Sequence, residues 1–204
     1  MMMKTIFAAA ALCVTMGANA QVSGALGGGF GTFLQLSAAG LSSGSVATLS
    51  GGTVLNASQP FADIPAGVIF GGNFLSAGPS TGTTATLNFT GTGVGYISFL
   101  WGSPDTYNLL TVTSTGNIAQ SFSAAGLGFG VTNGDKSFSQ YVQFTGIGAS
   151  KITSLSFTNI PSIDAFETAN YSVTTPPVPE PETYVLLLAG LGVVGFMARR
   201  RKAV

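Results

Sequence analysis

The chain has 204 residues, a formal charge of zero from 7 basic and 7 acidic side chains, 29 glycines, one cysteine and no histidine. Without imidazole there is no Ser-His-Asp arrangement, no ordinary neutral-pH base and no site for most zinc or copper ions. Between Lys4 and Arg199 the only cations are Lys136 and Lys151, too few to follow a phosphate backbone, so no nucleic-acid partner is expected. The low charge and abundant Gly, Ser and Thr suit an exported all-β protein, and 15 Phe with 5 Tyr supply the apolar area that a disordered chain lacks.

Met1 to Lys4 form a positively charged start, Thr5 to Met16 an apolar stretch, and Ala18 and Ala20 an Ala-x-Ala site. That order reads as a secretory signal peptide over 1–20, cut between Ala20 and Gln21. Lys4 holds its start at the cytoplasmic face, and the helix is too short to span a bilayer comfortably. The expected partners of this segment are the Sec machinery and signal peptidase. Cys13 leaves with it, so the mature chain has no thiol, no disulfide and no Cys-ligated metal.

Residues 21–175 read as one all-β body. Gln21 to Gly52 is rich in Gly, Ser and Ala and predicts edge strands and loops. Period-two alternation follows: Ala85, Leu87 and Phe89 share a face, as do Ile97, Phe99 and Trp101, with Tyr96, Ser98 and Leu100 opposite. Leu110 with Val112, Phe138 with Val142 and Phe144, and Leu155 with Phe157 repeat the pattern. Such alternation predicts half-buried antiparallel strands. Turn signals at Gly102-Ser103-Pro104-Asp105, Asn133-Gly134, Gly146-Ile147-Gly148 and Asn159-Ile160-Pro161 separate them. The expected architecture is an antiparallel β-sandwich, with Gly95 to Val112 forming a hairpin within it.

The body has five acids, Asp63, Asp105, Asp135, Asp164 and Glu167. They fall on loops that the sequence gives no way to pair, and Asp164 and Glu167 would share a face only on a helix. No Ser-x-x-Lys occurs, and no D-x-D-x-D-G calcium loop. No catalytic residue, cofactor or metal ligand is therefore assigned, and the acids read as solubilising surface charge. Trp101 has the parity of a core residue, which leaves Tyr107 and Asn108, just after the turn, as candidates for an exposed ligand contact. Asn56, Asn88 and Asn170 open Asn-x-Ser/Thr triplets, chance matches in so Ser- and Thr-rich a chain.

From position 176 the composition changes. Pro176 to Glu182 form an extended Pro-rich tether. An uncharged run over 183–198 follows, roughly 24 Å long as a helix against a bilayer core of about 30 Å. It predicts a single transmembrane helix that spans with thinning or snorkelling. Arg199, Arg200, Arg201 and Lys202 then stay cytoplasmic. Gly190, Gly192 and Gly195 match G-x-G-x-x-G, but the chain stops short of the acid that a dinucleotide site requires. They read as small residues tolerated in a membrane helix.

Val178-Pro179-Glu180-Pro181, the apolar helix and the basic tail together resemble the PEP-CTERM sorting signal. The resemblance implies recognition by an exosortase, a membrane protease of Gram-negative bacteria that commonly make exopolysaccharide, with Pro179, Glu180 and Pro181 as the recognised element. It implies an inner-membrane-anchored intermediate and then a cell-surface or extracellular-matrix protein. Tyr96 to Asn108 and Asp164 to Tyr171 also resemble segments recurring in some PEP-CTERM surface proteins, and these bring no activity with them. The expected function is a non-catalytic surface or matrix protein associated with exopolysaccharide or biofilm. The alternatives are a carbohydrate-binding sandwich and, last, a secreted glycoside hydrolase.

Overall fold

The computed structural model describes residues 21–174 and Leu191. The expected signal peptide, with Ala18 and Ala20, and the expected tether, sorting motif, transmembrane run and basic tail lie outside the described residues, apart from Leu191. Among the described residues no helix is long and apolar enough to cross a membrane.

The strands in chain order are β1 (Val22–Leu26), β2 (Leu36–Ser37), β3 (Gly40–Leu41), β4 (Ala47–Ser50), β5 (Thr53–Leu55), β6 (Phe74–Ala77), β7 (Thr84–Phe89), β8 (Tyr96–Gly102), β9 (Asn108–Ser114), β10 (Ile118–Ser123), β11 (Ser139–Gly146), β12 (Ile152–Asn159) and β13 (Phe166–Ser172), with one helical turn, α1 (Ala124–Leu127). They form two antiparallel sheets, one of six strands in the order β1-β11-β8-β13-β6-β5 and one of seven in the order β10-β9-β12-β7-β4-β3-β2. The all-β expectation holds. In the Gln21 to Gly52 region β1 and β2 are edge strands as read, whereas β3 and β4 lie inside the second sheet.

The alternating positions do what their period requires. Ala85, Leu87 and Phe89 of β7, Leu110 and Val112 of β9, and Leu155 and Phe157 of β12 point into the shared core, as do Ile97, Phe99 and Trp101 of β8 and Val142 and Phe144 of β11 from the other sheet. Each of the larger aliphatic and Phe side chains among them contributes about 1.5–3 kcal/mol by leaving water. Trp101 is fully buried, with its ring stacked 4.3 Å from Phe166 and edge-on to Phe129 at 5.3 Å. At Gly24 of β1 a Cβ would come within 2.7 Å of the Phe144 ring and 2.9 Å of the Phe122 ring. The missing side chain is what admits their edge-to-face contact at 5.0 Å.

Two expectations change. Gly95 to Val112 is not a hairpin: β8 pairs with β11 and β13 in the first sheet, and β9 pairs with β10 and β12 in the second. The turn between them carries the chain from one sheet to the other. Alternation specifies a strand and its inward face; it does not specify which partner lies beside it. The outward face of β8 is also buried. Tyr96, Ser98 and Leu100 are covered as fully as their inward neighbours, because connecting segments lie over the first sheet. Gly29 N–H donates to Ser98 Oγ at 3.1 Å, and Ile69 N–H donates to Asn170 Oδ1 at 2.9 Å. Beneath the second of these segments Ala62, Phe74, Ala165 and Ala169 form a small separate core. Both sheets and both cores are built from residues within 22–173.

Candidate functional site

At the end of the sandwich where β8 stops and β13 starts, four segments enclose a cleft of about 540 Å³. They are the covering segment at 60–63, the crossover at 103–107, the loop at 133–136 and the run into β13 at 163–167. Of the five acids of the body, Asp63, Asp105, Asp164 and Glu167 all line it, together with Lys136, Ser103 and Tyr107. The acids were expected to be scattered, yet the fold gathers four of them. Asp164 and Glu167 line the same cleft without any helix, because the chain enters β13 between them.

Glu167 lies on the outward face of β13, in register with Gly102 of β8 and Ser76 of β6. It is 4% exposed. Gly102 leaves room for Pro65, whose Cβ would stand 2.7 Å from any Cβ added there, and the covering segment thereby closes over the carboxyl. One oxygen, Oε1, accepts from Asp63 N–H at 3.2 Å; the other, Oε2, has no partner among the described residues. Burial, followed by the neighbouring Asp63 and Asp105 charges, pushes this carboxyl up from 4.5 to about 8. Glu167 is therefore mainly protonated at neutral pH.

The surrounding groups are held separately. Asp63 makes a 2.8 Å ion pair with Lys136, whose pKa is raised by the hydrogen bond and the charge of that partner. Asp164 accepts from Ser80 N–H at 3.0 Å and from Ser80 Oγ–H at 2.6 Å. Tyr107 donates its one proton to the Asp164 carbonyl at 2.8 Å; burial and then the neighbouring Asp105 raise its pKa. Ser103, at a left-handed φ of 41°, is 5% exposed, and its hydroxyl has no partner among the described residues. Asp135, the fifth acid, stands outside the cleft and accepts from the Ser137 hydroxyl at 2.7 Å and the Ser137 N–H at 2.9 Å, which lower its pKa.

The two expected contact residues separate. Tyr107 is half-buried and lines the cleft. Asn108 is 1% exposed and cannot be an exposed contact. Its Oδ1 accepts from Asp105 N–H at 2.7 Å, and its Nδ2 donates to Asn159 Oδ1 at 2.9 Å and to the Ala165 carbonyl at 3.3 Å. It pins the crossover to the ends of β12 and β13. Sequence reasoning missed Glu167, Ser103 and Lys136 as site residues. The one available signal was an acid, Glu167, as the single charge inside an otherwise uncharged strand. Among the described residues no group of three carboxylates converges closely enough to hold a metal ion.

Comparison with known proteins bears on the C-terminus. Residues 177–202 match the PEP-CTERM protein-sorting motif, as their resemblance implied. The match covers Val178, Pro179, Glu180 and Pro181 and the basic run Arg199 to Lys202. No curated protein and no solved structure matches the chain.

Proposed function

We propose that this exported protein, targeted to an exosortase by its PEP-CTERM motif, is a surface or extracellular-matrix protein whose sandwich body works by association and not by catalysis. The observation that carries the reading is the motif at 177–202. Sec export and signal-peptide removal after Ala20 release the body outside the cytoplasmic membrane. The apolar run holds it there until the exosortase processes it near Pro179-Glu180-Pro181, and the product joins the exopolysaccharide matrix. The lack of histidine supports a body without chemistry of its own.

Intact mass of the protein recovered from its host's surface fraction tests this directly. A species beginning at Gln21 and ending near Pro181 is the expected result. A chain that keeps Arg199 to Lys202 and stays in the inner membrane overturns it. One observation favours a hydrolase as the second reading: Glu167, buried so that its carboxyl is pushed up, shares its cleft with three aspartates, and a carboxyl raised by burial beside a second acid is what glycoside cleavage uses. Polysaccharide turnover lost in Glu167→Gln would select that reading.

A further inference from the structure

We propose that the cleft between the ends of β8 and β13 is a binding site for an uncharged saccharide. The proposal stands apart from the sorting reading, because the cleft is the same wherever the body is delivered. Four features carry it. Ser103 Oγ and Glu167 Oε2 are both nine-tenths or more buried, both residues line the cleft, and neither oxygen has a partner among the described residues. Native proteins rarely leave such groups unpaired, since each costs about 1–3 kcal/mol, so two at one place point to a ligand that completes them. The cleft's volume of about 540 Å³ is that of a small-molecule site.

The remaining features select the ligand. Asp63, Asp105 and Asp164 against one Lys136 make the wall acidic, which repels phosphates and uronic acids. Their oxygens do not converge as a metal site requires. They are spread along the wall, and acceptors so placed are met by a molecule with several hydroxyl donors at its edges. Tyr107 and Phe61, both half-buried on the lining, give an apolar surface for the C–H face of a sugar ring.

The test is binding of the full-length chain, in detergent, to a panel of neutral hexose oligosaccharides and uronic-acid oligosaccharides, with calcium chloride titrated separately. Binding of at least one neutral oligosaccharide is expected, and none of the acidic ones. Asp105→Asn and Ser103→Ala should weaken it about ten- to hundredfold. Asp135→Asn, outside the cleft, should leave it unchanged. Circular dichroism and a retained buried-Trp101 fluorescence show that each variant is folded; Asp105 is half-exposed, so its amide variant keeps the proposal testable if Ser103→Ala does not fold. The proposal is overturned if no neutral oligosaccharide binds, if binding is indifferent to Asp105→Asn, or if calcium binds with the dependence on Asp105 expected of the sugar. None of these results alters the mass of the processed chain, so failure here is distinct from failure of the sorting reading.

Discussion

Glu167 makes the stability of the body depend on pH in a window where little else titrates. Its carboxyl has a pKa of about 8 in the folded protein against an ordinary 4.5. The folded state therefore holds a proton that the unfolded state releases. The Glu167 contribution is full below about pH 4.5, falls as pH rises, and levels off above about pH 8. At about 1.4 kcal/mol per pKa unit the loss is about 5 kcal/mol, a large part of the total stability of a domain. Glu167→Gln places a neutral group of the same shape at the site and should abolish the slope. It should be more stable than wild type by up to about 5 kcal/mol at pH 9 and within about 1 kcal/mol of it at pH 4. The assay is urea unfolding of residues 21–174 without a histidine tag, followed by the fluorescence of Trp101, the one tryptophan, which is fully buried. The chain has no histidine, and Cys13 lies outside the fragment. Only the α-amino group shares the window, and it is common to both proteins. A wild-type stability that is flat from pH 5 to 9, or an equal slope in Glu167→Gln, refutes the reasoning.

The other predictions concern the core, the crossover and the tail. Phe166→Ala removes the ring stacked on Trp101 and should cost about 3–5 kcal/mol in urea unfolding at pH 5. Gly24→Val drives a side chain into the Phe122 and Phe144 rings and should cost about 1–3 kcal/mol in the same assay. Asn108→Ala leaves Asp105 N–H and the Asn159 amide without their partner; a loss of about 1–3 kcal/mol is expected, and a neutral result would mean that the crossover is held by other contacts. In the host, Glu180→Ala should leave the intact mass with Arg199 to Lys202 still attached, because the sorting motif is broken.

Which strands face the core was written in the alternation of β7, β8, β9, β11 and β12, because a half-buried strand repeats its environment every second residue. The tail was legible for a related reason: its signal is a linear order of Val178 to Pro181, an apolar run and a basic cluster, read by other proteins without reference to the body's fold. The order of strands in the sheets was not legible. Gly95 to Val112 has the composition of a hairpin and is a crossover, since partners that pair strands come from far along the chain. The cleft was hidden for the same reason. Asp63, Asp105, Asp164 and Glu167 are separated by many residues or by the wrong spacing, and each alone reads as surface charge. Only the covering segment over the first sheet, closed down on Gly102 by Pro65, buries Glu167 and brings Asp63 beside it. The sequence by itself determined strand character, export and the sorting signal, which depend on local order. Tertiary structure decided which acids share a site and which carboxyl stays protonated, because burial and the approach of distant charges exist only once the sheets have packed.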